Sequence, residues 1–174
     1  MKKDWHGILI VDEFKVTRDD KVLYQAENLH NILHLGGESQ ILSALFVGGP
    51  GPAINPYIPS IYYLGLDNRS ALAVTDTLSN LSGEPASGGY NRQPVSSTTG
   101  FTIVTEGTTV KAKSGVIVFS SIGSSWGPVK NMFLTNISSG TAGILYSSVP
   151  LGSNVVVTAG DTVSVRFSMA LRNC

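Results

Sequence analysis

Val163 to Leu171 reads VSVRFSMAL. Val163, Val165, Phe167, Met169 and Leu171 fall on one side of an extended chain, and Ser164, Arg166, Ser168 and Ala170 on the other. Strand side chains alternate with period two, so this is a half-buried antiparallel strand with one face on a core. Immediately before it, Gly160-Asp161 supplies a turn. The same cadence runs back through the chain. Strands are expected over about 61–66, 89–95, 101–105, 108–112, 115–121, 128–136, 142–149, 153–158 and 162–172, separated by Gly-, Ser- and Thr-rich turns. A short helical turn is expected near Asp76 to Leu81, with Thr75 or Asp76 as its cap. Many short strands with turns between them predict a mainly β fold, an antiparallel β-sandwich or jelly-roll-like module.

The N-terminal third reads differently. Residues 5 to 16 (WHGILIVDEFKV) predict a strand and Lys21 to Gln25 its hairpin partner, with Arg18-Asp19-Asp20 as the turn. Leu29, Ile32, Leu33, Leu35, Ile41, Leu42, Leu45 and Phe46 then recur at helical spacing. Asn28 is the expected N-cap, and Gly36-Gly37 is expected to split the segment into two short helices or kink one. Gly48 to Pro59 (GGPGPAINPYIP) holds four prolines. Proline fixes φ and lacks the amide donor, so neither helix nor sheet runs through it. The expected organisation is a hairpin and helical extension over 1–50, a Pro/Gly-rich linker over 51–60, and a β-sandwich module over 61–174.

Composition narrows the function. Charged residues are only 14% of the 174, against apolar residues at 42%. This suits a surface that neighbours cover. Twelve basic and twelve acidic residues cancel, which argues against a broad basic face for nucleic acid. A net charge near zero also gives little electrostatic resistance to association. Cys174 is the sole cysteine, so neither an internal disulfide nor a cysteine zinc site is possible. The start, MKKDWHGILIVDEF, has a four-residue apolar run before Asp12-Glu13, too short for a signal peptide, and no stretch approaches a membrane-spanning helix. Synthesis in a cytoplasm without membrane insertion is the expectation.

Each candidate chemical pattern fails on context. Gly123-Ser124-Ser125-Trp126-Gly127 matches G-x-S-x-G, but a nucleophile elbow needs a helix after it and a later histidine. Here Pro128 and a β pattern follow, and His6, His30 and His34 all lie upstream. His30, His34 and Glu38 are spaced to share one helical face and bind a divalent metal, but Gly36-Gly37 interrupts that face. Asp19-Asp20 reads as a solvated turn rather than a catalytic carboxylate pair. No enzyme activity, catalytic residue, metal or cofactor is expected.

One ordered set of motifs has a counterpart elsewhere. Ile61 to Asn68 (IYYLGLDN) contains Y-x-G-L, Gly89 to Gln93 (GYNRQ) contains G-Y-x-R-Q, Trp126 to Val129 is W-G-P-V, and Gly160 to Val163 is G-D-T-V. In this order, over about 55 to 173, the chain resembles a broad family of tailed-bacteriophage virion structural proteins. Members act as head decoration (cement) proteins or as tail-fibre-like proteins. The resemblance implies a cement protein on the capsid surface of the virion, bound to the major capsid protein and self-associated as a homotrimer. The alternative is a tail-tip or fibre-associated protein that recognises a host receptor or glycan through exposed Tyr and Trp. The expected interaction residues are Trp5, Pro50, Pro52, Pro56, Tyr57, Pro59, Tyr90, Arg92 and Trp126. Arg92 has two readings, a contact with another virion protein or an internal tie to Asp67, Asp76 or Glu84 that pins the 67–88 loop.

Overall fold

A computed structural model describes residues 5–46, 58–69 and 72–173. Their order is β1 (Trp5–Arg18), β2 (Lys21–His30), β3 (Ile32–Leu33), α1 (Leu35–Phe46), β4 (Ile61–Asp67), β5 (Gln93–Ser96), β6 (Phe101–Glu106), β7 (Thr109–Ser114), β8 (Ile117–Ser120), β9 (Gly127–Thr135), β10 (Leu145–Val157) and β11 (Thr162–Asn173). The fold is mainly β, two antiparallel sheets in a sandwich-like arrangement with one helix. The first sheet runs β2-β1-β11-β7-β6, with β8 also paired to β11; the second runs β3-β10-β9-β4-β5.

The alternating strand that decides the fold class is the spine of the first sheet. On one edge β11 pairs with β1 from Trp5↔Asn173 to Thr17↔Thr162. On the other its first half pairs with β8 and its second half with β7. Its inward residues Val163, Val165 and Phe167 are buried as the alternation predicts, but Ser168 and Ala170, expected outward, are buried too, and Met169 is half-buried. Ser168 donates to Asp12 on β1 at 3.0 Å. They meet Leu64 and Leu66 of β4, Met132 and Leu134 of β9, and Val149, Leu151 and Val155 of β10 in a single core. The same core takes Val11, Phe14 and Val16 of β1. The hairpin assigned to a 1–50 extension therefore lies inside the first sheet and shares the core of the 61–174 module. Its turn is tight because Asp19 and Asp20 both adopt positive φ, 47° and 61°. Asp tolerates that conformation, and two such residues match the strand twist.

The expected helix over 28–47 is corrected in its first half. β2 continues to His30, and Asn28 is a strand residue at φ 53° rather than an N-cap. Leu29 packs on the core from β2, while Ile32 and Leu33 have crossed to the second sheet, where Leu33 pairs with Ser147. Their helical spacing is an accident of two strands meeting at a crossover. The helix starts at Leu35, so Gly36-Gly37 occupy its first turn and break nothing. A Cβ on Gly37 would overlap the Tyr146 backbone carbonyl; glycine lets the helix start sit on β10. Similarly, the two expected strands over 142–149 and 153–158 are one strand, β10, whose register shifts between Pro150 and Val155.

On β4, Gly65 lies opposite Phe133 of β9. The Phe133 ring covers the Gly65 backbone where a Cβ would stand, and Phe133 is fully buried. Gly65→Ala is expected to cost about 1–3 kcal/mol by overpacking. In denaturant titration, adding Phe133→Leu to Gly65→Ala should recover part of that loss, because contacting residues are not additive.

Candidate functional site

The loop that leaves β4 at Asp67 crosses the outer face of the second sheet. Leu72, Leu78 and Leu81 bury against Phe133 and Leu145 in a second small core. Leu78–Asn80 form one 3-10 turn, and Thr77 precedes it as the cap, one or two residues later than expected, its amide donating to Asn80 Oδ1 at 2.8 Å. Asp67 holds both ends of the loop: its carboxylate accepts from the amides of Arg69 at 2.9 Å and Gly83 at 3.2 Å. Burial pushes the Asp67 carboxyl above its ordinary pKa, against the opposing pull of those amides and of Arg69. Arg69 stands 3.9 Å from Asp67 and pairs more closely with Asp76, at 2.7 Å.

Glu84 closes the loop onto the chain before β5. Arg92 donates to it through Nε at 2.8 Å and Nη2 at 2.7 Å, a two-pronged fork. The remaining Arg92 bonds go to the carbonyls of Ile137 at 3.0 Å and Gly140 at 2.8 Å. The guanidinium also lies over the Phe133 ring, 5.3 Å from its centroid. The Tyr90 hydroxyl donates to Glu84 at 2.9 Å and accepts from the Leu66 amide at 2.8 Å. Of the two readings of Arg92, the geometry contains the internal tie, and the partner is Glu84 rather than Asp67 or Asp76.

Tyr90 also belongs to an aromatic trio. It stacks on Phe119 at 6.1 Å and meets Trp126 edge-on at 5.5 Å. Trp126 Nε1 donates to the Gly88 carbonyl at 3.1 Å. Gly88 stands at φ 65°, and a Cβ there would overlap Ser124. The trio joins β8 to the start of β9 at one end of the sandwich. A third tie sits in the β10–β11 turn. Asp161, fully buried, accepts from the Thr158 amide and from Arg18 Nε, both at 2.7 Å, so the turn is locked to the end of β1. Burial opposes ionisation of Asp161, but the bonds from Arg18 and Thr158 outweigh it and hold the carboxyl below its usual range.

These ties absorb residues expected at an interface. Arg92 and Trp126 are only 6% and 4% exposed, and Tyr90 is half-buried. Pro59 is half-buried. The Trp5 side chain and Pro50, Pro52, Pro56 and Tyr57 lie outside the described residues, as does most of the 51–60 linker. His30 is exposed on β2 while His34 is buried before α1, so they share no helical face with Glu38. Among the described residues no three His, Cys, Asp or Glu side chains gather as a metal site. Gly127, the last residue of the G-x-S-x-G stretch, opens β9, where an elbow would need a helix.

Several large apolar side chains stand at the surface. Ile103 and Val110 on the β6–β7 hairpin are 70% and 57% exposed. Leu35 and Leu42 on α1 and Val74 of the loop beside it are exposed as well; Leu35 bonds the Val74 carbonyl at 3.2 Å, which places them together. The sequence reading missed these positions. Phe101-Thr102-Ile103-Val104-Thr105-Glu106 reads as an ordinary strand, and only the sheet order shows that its Ile103 lies beyond the core. The chain matches no family model, no curated protein and no solved structure.

His34 couples the helix start to the loop. Its Nε2 lies 2.8 Å from Ser148 Oγ. Nδ1 faces the carbonyls of Ala73 and Val74 without closing a normal hydrogen bond. Burial pushes the imidazole below its ordinary value of 6.5; Asp76 opposes this and Arg69 reinforces it. The folded state thus binds fewer protons than the unfolded chain, and stability falls as pH drops below about 6.5. His34→Gln is expected to show a smaller fall in Tm than the parent between pH 7.5 and 5.5. In urea titration at pH 7.5, Glu84→Ala is expected to cost roughly 3 kcal/mol, since it strands a buried guanidinium. Arg92→Lys, which cannot form the fork, should retain little of the tie.

Proposed function

We propose that this protein is a bacteriophage capsid decoration protein that binds and stabilises the major capsid protein lattice. The observation that carries the reading is the exposed apolar surface at α1 and the β6–β7 hairpin on a chain with no net charge. Such a surface gains free energy when another protein covers it. The ordered motifs that resemble the virion family add to it. Gly65, Tyr90, Arg92, Trp126 and Asp161 all hold this sandwich together, so the motif set reads as the frame of one fold. A cement protein acts by mass action: binding only the mature shell stabilises it by RT ln(1 + [L]/Kd) per site. Self-association as a homotrimer at symmetry positions of the shell, and location on the capsid surface, belong to the same proposal. Recognition of a receptor by exposed Tyr and Trp is less well supported, because Trp126 is buried and Tyr90 is committed to Glu84 and Phe119.

Densitometry of purified particles is expected to give hundreds of copies per virion. Adding the protein to undecorated shells should raise their disruption temperature in proportion to occupancy. A handful of copies, or shells indifferent to the protein, would contradict the proposal.

A further inference from the structure

Among the described residues the two sheets end in four outer strands, β2 and β6 in the first and β3 and β5 in the second, besides the four-residue β8 branch. An open strand edge templates pairing with another chain, and proteins blunt it with charge, proline, bulges or brevity. β2 carries Lys21 and Glu27 and is bent at Asn28. β3 is two residues long. β5 contains Pro94. β6, FTIVTE, has none of these devices. Its one charge, Glu106, is drawn back onto its own hairpin by Lys111 at 2.7 Å and Lys113 at 3.2 Å.

The pairing pattern shows which groups are open. The Gly115 amide donates to the Gly100 carbonyl, on the line of the Phe101↔Ser114 to Glu106↔Thr109 ladder. Backbone groups in an antiparallel pair alternate in direction. The even residues of β6 therefore face β7, while Phe101, Ile103 and Thr105 turn N–H and C=O to the free edge. The same three side chains lie on the inner face, where Phe101 packs on Phe167 at 5.7 Å. Ile103, two residues on, is past the cover of the second sheet and exposed.

We propose that β6 is a homotypic docking edge that pairs antiparallel with β6 of a second copy, Ile103 opposite Ile103. The strand is self-complementary in that register. Phe101 of each copy falls opposite Thr105 of the other, Thr102 opposite Val104, and Glu106 opposite the uncharged Gly100. No like charges meet, the odd-numbered backbone groups on both edges find partners, and the two copies of Ile103 form one apolar strip flanked by Val110 and Ala112. An isologous contact makes pairs, so it is distinct from a three-fold association and would join two trimers if both occur. It does not depend on the protein being part of a virion.

Sedimentation velocity on the full chain tests it. The expected mass is an even number of chains, halved by Ile103→Lys and by Ile103→Pro. Proline here removes an edge donor without touching the β7 ladder; Ile103→Lys tests the same edge with every amide kept, and circular dichroism checks that each variant is folded. In a Cys174→Ser background, Ile103→Cys should oxidise to a linked dimer, because directly opposed residues fall within disulfide reach. Val118→Cys, exposed on β8, is the control. A monomer at all concentrations, a mass that the folded Ile103→Lys variant leaves unchanged, or linkage through residue 103 no faster than through 118 would overturn the proposal.

Discussion

β11 is the strand on which the architecture rests. A central strand must satisfy its backbone groups on both edges, and buried amides left unpaired are expensive. β11 meets that demand with three partners drawn from distant parts of the chain: β1 along one edge, β8 and β7 in succession along the other. Its inner face supplies Val163, Val165 and Phe167 to the core that the second sheet covers. The first and last strands of the chain are thus neighbours, and the sandwich cannot close until residues more than a hundred positions apart have paired. The Asp161–Arg18 tie fixes the register at the point where β11 begins.

A second layer of order lies in the loop between β4 and β5. Its backbone runs across a sheet face and needs partners there. Asp67, Glu84 and Asp76 supply acceptors, and Arg69 and Arg92 are their counterions. Arg92 reaches a carboxylate, two carbonyls and an aromatic face at once, which a lysine's single point charge cannot do. The aromatic residues that a binding protein might display are used here to seal the sandwich end. The polar and aromatic side chains most suggestive of chemistry are committed inside the fold, while large apolar side chains such as Leu35, Leu42, Ile103 and Val110 stand exposed.

Much of the fold was legible in the chain because strand alternation is local. Val163 to Leu171 announced a strand, and burial followed the alternation from Val163 to Phe167 but not beyond, where Ser168 and Ala170 are buried as well. The internal tie of Arg92 was also within reach, since a planar fork needs a carboxylate and the nearby loop supplied few. The helix start was not legible. Leu29, Ile32 and Leu33 match a helical period, yet they sit on two sheets that the chain joins at a crossover, and periodicity cannot see a crossover. Nor could spacing place the hairpin inside the first sheet, because the β1–β11 pairing is wholly non-local. Ile103 escaped for a related reason: its exposure is set by how far the opposite sheet extends, which no short window of sequence records.

The central claim is that the residues rich in chemical character build the frame, while the plain apolar positions at the surface meet other proteins. Hydroxyl-radical footprinting of the protein free and on assembled particles tests this most directly. The account predicts that Leu35 and Leu42 are oxidised in the free protein and protected on particles, with Trp126 unreactive in both. Equal oxidation of those aliphatic residues in both states, or a Trp126 that reacts when free and is shielded on assembly, would contradict it.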